Sequence, residues 1–190
     1  MSFMDPAEAR KLEDEITSDS SQLGRLFTSK NSKYQVRSVD HNLVESMLKE
    51  GWEEFRAPLK TKTKLRKLKS HSVQFEDDVW CQLYNLGYRC LNISNNFKLP
   101  FGKTPEERKQ IDVIAINDDS ILLVECKSSK KRSAAPSYKT EFEGLKLRLD
   151  GFSKALEQLF GKGRRVKYIF ATRNLRLNRE GADIKRLLDT

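Results

Sequence analysis

Residues 109–131, KQIDVIAINDDSILLVECKSSKK, hold two short runs of β-branched and aliphatic residues, 111–116 and 121–126, around the polar break Asn117-Asp118-Asp119-Ser120. Such runs about an Asn/Asp/Ser cluster predict an antiparallel hairpin. With Asp118-Asp119 as a two-residue turn, Ile116 faces Ile121, Ile114 faces Leu123 and Asp112 faces Glu125. A four-residue loop over 117–120 keeps that pairing, whereas three or five residues would slip it by one. Directly opposed residues place their β-carbons about 4.5–5.5 Å apart, and opposed like charges destabilise a sheet. Lys127, two residues beyond Glu125, falls on the same face.

Three compensations suit the facing acids. One acid is protonated, Lys127 neutralises part of the charge, or a divalent cation bridges both. Mg²⁺ is commonly held by one or two carboxylates together with substrate phosphate oxygens. The plain alternative is a rim salt bridge between Lys127 and Glu125. On the other face Val113, Ala115, Leu122, Val124 and Cys126 point away from the acids, so both faces of the hairpin are apolar outside its charged end. A sheet apolar on both sides predicts helices on both sides.

The chain of 190 residues is long enough for one core with a smaller appendage. Its 36 Lys+Arg against 27 Asp+Glu leave a formal charge of +9, which favours polyanionic partners. Cys81, Cys90 and Cys126 fit no metal-ligand spacing, and an odd count predicts reduced thiols in an intracellular, cytoplasmic protein. The opening MSFMDPAEARKLEDEITSDSS lacks a basic end followed by an apolar core, so no signal peptide is expected. No apolar run reaches membrane-spanning length, so no membrane partner is expected either.

Three parts are predicted. Residues 1–59 form a mainly helical N-terminal region, with one helix capped by Asp5 over Ala9, Leu12 and Ile16. After a polar connector (SDSSQLGRLFTSKNSK), a second helix capped at Asp40 turns Leu43, Met47, Leu48 and Trp52 inward. His41 and His71 have no ligand companions and are expected to be solvated. Residues 60–71, LKTKTKLRKLKS in their surroundings, form a basic linker whose Lys64, Arg66 and Lys67 either stay solvated or grip a nucleic-acid backbone.

Residues 72–190 carry the order α-β-β-β-α-β-α. A helix turns Phe75, Val79, Leu83 and Leu86 inward, with Gly87 stopping it. A short strand YRCLNIS, a long polar loop NNFKLPFGKTPEERK and the hairpin follow. SSKKRSAAPSYKT is then a basic connector, EFEGLKLRLDGFSKALEQLF one amphipathic helix weakened by Gly144 and Gly151, and VKYIFAT a buried strand. REGADIKRLLDT opens a last helix that reads as unfinished, as in a fragment of a longer chain.

Asp112 in QIDVIAIN, Glu125 and Lys127 in VECKSS, this element order, and Glu76 in FEDDVWCQLYNLGY resemble the PD-(D/E)xK nuclease superfamily. Gln110 and Ile111 stand where its signature has proline. Within the superfamily, the layout is most similar to Holliday-junction resolvases and Mrr-like restriction enzymes. The resemblance covers residues 72–172. It implies a restriction-endonuclease-like αβββαβ core, an α/β fold whose mixed central sheet is flanked by helices. It further implies a Mg²⁺-dependent deoxyribonuclease, with Mn²⁺ as a substitute, acting as an endonuclease in restriction, defence or repair. A homodimer is compatible with it, and the alternative is a non-cleaving nucleic-acid-binding module of the same fold.

On that resemblance Asp112 and Glu125 hold the metal, with the Cys126 carbonyl as a further ligand. Glu76 reaches the metal through water, or helps to hold a second ion. Lys127 orients or deprotonates the attacking water, or stabilises the charged phosphorus centre. Lys130, Lys131 and Arg132 either touch the scissile strand or lie in an exposed connector. Gln158 is either an active-site amide or a surface glutamine.

Overall fold

The hairpin is built as its residues require. In the computed structural model, which describes residues 3–56, 60–134 and 139–176, Asn117 N–H donates to the Ser120 carbonyl at 3.0 Å. Asn117 Oδ1 accepts from the main-chain N–H groups of Asp119 and Ser120, closing a two-residue turn at Asp118-Asp119. The resulting register pairs Ile116 with Ile121, Ala115 with Leu122, Ile114 with Leu123 and Val113 with Val124.

In chain order the described elements are α1 (Pro6–Glu13), β1 (Ile16–Thr17), α2 (Ser20–Lys30), β2 (Tyr34–Asp40), α3 (His41–Lys49), β3 (Glu53–Glu54) and β4 (Lys62–Leu68). Next come α4 (His71–Asn85), β5 (Cys90–Asn92), β6 (Phe97–Pro100), β7 (Arg108–Ile111), β8 (Val113–Ile116) and β9 (Ser120–Ala134). The last are α5 (Lys139–Lys146), α6 (Leu149–Phe160) and β10 (Arg165–Arg176). The fold is mixed α/β, with a five-stranded sheet ordered β1-β5-β8-β9-β10 and two small antiparallel sheets, β2-β4-β3 and β6-β7. In the large sheet only the β9–β10 pair is parallel.

The hairpin lies at the centre of that sheet, and each face buries a different set. Ile114, Ile116, Ile121 and Leu123 pack with Phe152 and Leu156 of α6 and Leu12 of α1. Val113, Ala115, Leu122 and Val124 pack with Trp80 and Leu83 of α4 and Leu23 of α2. Each fully buried large side chain contributes about 1.5–3 kcal/mol, so this three-layer packing dominates stability. The expected helices on both sides are present.

Several expectations need correction, mostly because tertiary burial overrides local polarity. The connector before residue 34 contains α2, with Leu23 fully buried against α4. The N-terminal region is not a separate helical unit. It also carries strands, its β1 pairs with β5, and α1 packs into the main core. The stretch 60–71 is not a linker, since Lys62–Leu68 is the central strand of a sheet and Leu65 is fully buried. The polar loop after residue 94 holds the β6–β7 hairpin, with Phe97 and Leu99 fully buried.

α3 starts after Asp40 as expected, yet the Asp40 side chain makes no cap bond and Leu43 and Leu48 are exposed. Leu86 is exposed as well. His41 is exposed as expected, with Nδ1 3.1 Å from Thr63 Oγ1, whereas His71 Nε2 is buried with no hydrogen-bond partner among the described residues. As far as Ala134, the basic connector after Lys127 is a continuation of β9. β10 is an edge strand, with Ile169 exposed, rather than a buried one. The last helix falls outside the described residues. Among the described residues no helix is long and apolar enough to cross a membrane.

The expected single helix over 141–160 divides into α5 and α6 around Leu147 and Arg148. Its two glycines differ in kind. A β-carbon on Gly151 would stand 1.9 Å from the Phe101 carbonyl oxygen, so only glycine lets α6 meet the chain leaving β6. A β-carbon on Gly144 would meet nothing closer than Arg148 Nη1, at 3.4 Å. Gly151→Ala is therefore expected to cost about 1–3 kcal/mol or more, and Gly144→Ala to gain up to about 1 kcal/mol. Urea denaturation of the two variants reads both signs.

Candidate functional site

At the open end of the hairpin the ladder stops, and side chains take over from main chain. Asn92, fully buried at the end of β5, donates from Nδ2 to the Asp112 carbonyl at 3.1 Å and accepts the Ile114 N–H on Oδ1 at 3.1 Å. The asparagine thus stands in for a strand partner on both sides of Val113. Asp112 lies in the bend between β7 and β8, and its Oδ2 accepts the Cys126 N–H at 2.7 Å. The carboxylate is thereby fixed against β9, beside the residue that follows Glu125.

Glu125 and Lys127 share a face, as alternation requires, and Lys127 Nζ lies 3.0 Å from Glu125 Oε1. A second lysine, Lys109 of β7, donates to Glu125 Oε2 at 2.8 Å, and the Tyr168 hydroxyl of β10 donates to the same oxygen at 3.1 Å. Lys127 also pairs with Glu141 of α5 at 3.4 Å. A cavity of about 180 Å³ opens on this cluster, walled by Glu125, Glu141, Phe142, Leu145, Tyr168 and Phe170.

Glu76 sits on α4, the other layer, and approaches Asp112 from there. Its Oε2 accepts from Asn95 Nδ2 at 2.9 Å. Asn95 is held in turn by Lys30, whose Nζ reaches Asn95 Oδ1 at 2.5 Å and Asp77 Oδ1 at 2.8 Å. Lys69 closes on Asp77 Oδ2 at 2.9 Å, and all three charged side chains are buried. Removing one partner of such a set leaves an uncompensated buried charge, which costs about 3–5 kcal/mol. The triad therefore anchors α2 and the end of β4 to the helix that carries Glu76.

The electrostatics divide the acids. Burial, then the charge of Asp112, push the Glu76 carboxyl up to about 7, against a smaller opposing pull from the Asn95 hydrogen bond. Burial also raises Asp112, with Glu125 adding to it, while the Cys126 N–H, Lys127 and Lys109 pull the other way. Burial pushes at Glu125 too, but hydrogen bonds and charge from Lys109 and Lys127 outweigh it and hold the carboxyl below its ordinary value. Lys127 is pushed down by burial and more strongly up by Glu125 and Glu141, so its net shift is upward and it is an ammonium at neutral pH. Burial, then the charges of Asp112, Glu76 and Glu125, raise the Cys126 thiol far above its usual range.

The donor set fits a hard divalent cation of the Mg²⁺ type, which needs one or two carboxylates and keeps its remaining sites for water or phosphate. Asp112 and Glu76 carry crowded, partly uncompensated negative charge. Among the described residues no three of His, Cys, Asp and Glu form a metal-holding group, so a three-ligand protein cage is not what the site offers.

Of the expected site residues, Asp112, Glu125, Lys127 and Glu76 come together at this end of the sheet, with the Cys126 main chain between them. Lys130, Lys131 and Arg132 are exposed on the same strand, three to five residues beyond Lys127. There the β9–β10 register jumps, from Arg173 opposite Ser128 to Leu175 opposite Ser133, and Asn174 takes a positive φ of 58°. Lys64 and Arg66 lie on the small sheet, and Lys67 points to its other side, with Nζ donating to the Glu50 carbonyl at 2.5 Å. Gln158 is no site amide. Its Oε1 accepts from the Phe3 and Met4 N–H groups and its Nε2 donates to the Met4 carbonyl, pinning the N-terminal segment to α6.

Sequence reasoning missed Asn92, Asn95, Lys30, Lys109 and Tyr168. Only Lys109, an apparently solvated cation shortly before Asp112 on what proves to be a strand, had any local signal. No protein-family model matches the chain, and no curated protein matches it in sequence.

Glu76 makes stability depend on pH. Its folded-state value lies above the ordinary 4.5, so the native state holds a proton that the unfolded chain releases. The associated stability is fully present below about pH 4.5 and is lost as pH rises through about 7. In EDTA, Glu76→Gln should raise the melting temperature at pH 8 and leave it unchanged at pH 4. Equal shifts at both pH values would contradict this.

Proposed function

We propose that the chain is a metal-dependent nuclease that hydrolyses DNA phosphodiester bonds, built on the restriction-endonuclease-like core of the PD-(D/E)xK class. The observation that carries the reading is the single cluster of Asp112, Glu125 and Lys127 across two paired strands. Glu125 and Lys127 are in contact, and Asp112 is bonded to the residue between them. Two further features support it. With the β6–β7 hairpin and α5 as additions, the order α4-β5-β8-β9-α6-β10, antiparallel through β9 and then parallel, agrees with that expected for the class. Glu76 also stands beside Asp112 on the helix where the class places an extra acid.

In this reading Asp112 and Glu125 hold a Mg²⁺, with Mn²⁺ as substitute and the Cys126 carbonyl as a further oxygen. The cation supplies Lewis-acid polarisation of the phosphoryl oxygens and a more acidic bound water. Lys127 acts as the ammonium that stabilises charge on the phosphorus oxygens, since its neighbours keep it protonated. Glu76, poised near neutrality and steadied by Asn95, holds a water and accepts its proton. Lys130, Lys131 and Arg132 meet the backbone next to the cut without reading bases.

The second reading, a non-cleaving nucleic-acid-binding module, draws on the saturation of both Glu125 oxygens by Lys109, Lys127 and Tyr168. Metal-dependent cutting needs at least one of those contacts to give way.

Purified protein with Mg²⁺ should nick or linearise supercoiled plasmid, and EDTA should stop it. Asp112→Asn, Glu125→Gln and Lys127→Ala should each lower the rate by about 10²-fold or more, with a cooperative melt and an unchanged far-ultraviolet circular dichroism spectrum as the folding control. No cleavage of plasmid, linear, nicked or branched DNA in Mg²⁺ or Mn²⁺, together with retained salt-sensitive binding, would replace this reading with the second one.

A further inference from the structure

The small sheet β2-β4-β3 has one face that the proposed site does not use. Cross-strand register and alternation put Tyr34, Val36 and Ser38 of β2 beside Leu68, Arg66 and Lys64 of β4, with Glu53 of β3 opposite Arg66. Phe55, whose N–H donates to the Lys64 carbonyl at 2.9 Å, continues β3 on that same side. The opposite side is filled, with Leu65 fully buried, Thr63 bonded to His41 of α3, and Arg37 stacked on the buried Trp52. On the first side Val36 is 49% exposed, Leu68 61% and Phe55 38%. No described element covers it.

This open face is a row of planar groups. The Arg66 guanidinium lies 4.6 Å from the Tyr34 ring centre and 5.3 Å from that of Phe55, and Arg56 lies 5.3 Å from Phe55. Arg66 Nε donates to Glu53 Oε1 at 2.7 Å, which fixes the guanidinium plane. Four cations, Arg56, Lys62, Lys64 and Arg66, border two acids, Asp40 and Glu53. One of those acids is engaged by Arg66 and the other faces Lys62 in the register. Flat side chains edged by lysines suit a polyanion whose flat groups are accessible. A protein partner would have to bury those lysines. A duplex keeps its bases stacked on each other and could offer only phosphates.

We propose that this face is a stacking platform for single-stranded nucleic acid, with bases against Tyr34, Arg66 and Phe55 and phosphates along Lys62 and Lys64. The class of ligand rests on the nucleic-acid reading above, but the hydrolytic step does not enter. β4 runs directly into Lys69, buried against Asp77 of α4, so a held strand is tied to the helix that bears Glu76. A bound strand would in this way be presented to the same molecule that cuts.

The test is fluorescence anisotropy in EDTA with a labelled oligothymidylate, a single-stranded RNA of equal length and a matched duplex. Tyr34→Ala with Phe55→Ala should weaken single-strand binding by about tenfold or more and leave duplex binding unchanged. Tyr34→Phe with Phe55→Tyr should restore it, which separates stacking from misfolding. Lys62→Ala with Lys64→Ala should flatten the single-strand salt dependence by about 1.4 in log–log slope. The DNA and RNA arms decide which strand is preferred.

An aromatic-free variant that keeps wild-type single-strand affinity, or loses single-strand and duplex binding equally, overturns the platform. So does a chain that binds no single strand at all. Strand binding that depends on the aromatics in a chain that cuts nothing would sink the hydrolytic reading and leave the platform standing.

Discussion

Everything at the charged end depends on the register of one hairpin. The Asn117 side chain closes the two-residue turn, and a slip of one residue would exchange the two faces of β9 relative to β8. Glu125 and Lys127 would then face the α2–α4 layer with Leu23 and Trp80, and the aliphatic side chains would meet the lysines. Because both faces are buried in different helical layers, the register is held by two cores at once. That redundancy is what lets the strand ends carry unfavourable charge.

The charge is unfavourable in a structured way. Glu125 is over-compensated by two lysines and a tyrosine, whereas Asp112 and Glu76 are under-compensated and rise in pKa. Glu125 is engaged by three side chains, whereas Asp112 accepts from the Cys126 N–H and Glu76 from Asn95. Asn92 and Asn95 make the arrangement rigid by replacing main-chain and solvent partners. Behind them the Lys30–Asp77–Lys69 triad ties two segments, α2 and the end of β4, to α4. In the nuclease reading, this is the preorganisation that charge stabilisation requires.

What was legible in the sequence follows from range. The hairpin and its turn are set by residues close in the chain, and the alternation that puts Glu125 and Lys127 on one face reads directly. The expected strand pairing of Asp112 with Glu125 does not form, because the ladder ends at Val113 and Val124. Asp112 reaches β9 through its side chain instead. α4 and the two-sided burial of the sheet read nearly as well. α2 did not, because its short apolar stripe of Leu23, Leu26 and Phe27 stands in a polar stretch and packs on Trp80, which is remote in sequence. β4 did not, because its lysines alternate with Thr63 and Leu65, and a charge run conceals a strand whose one side is covered, among the described residues, by a distant helix and Trp52. Lys30 and Lys69 look like surface lysines, and nothing local marks them as buried partners of Asp77. Gln158 shows the same limit from the other side, since its polar atoms serve the main chain at the far N-terminus.

The most direct test of the central claim is whether Asp112 and Glu125 share an ion. Electron paramagnetic resonance of free Mn²⁺, titrated with the protein at neutral pH and without nucleic acid, counts bound ions without reference to cleavage. The account predicts one site per chain, lost in Asp112→Asn and in Glu125→Gln alike and retained in Gln158→Ala. Wild-type protein that leaves all Mn²⁺ free, or carboxamide variants that bind it as the wild type does, would contradict the account.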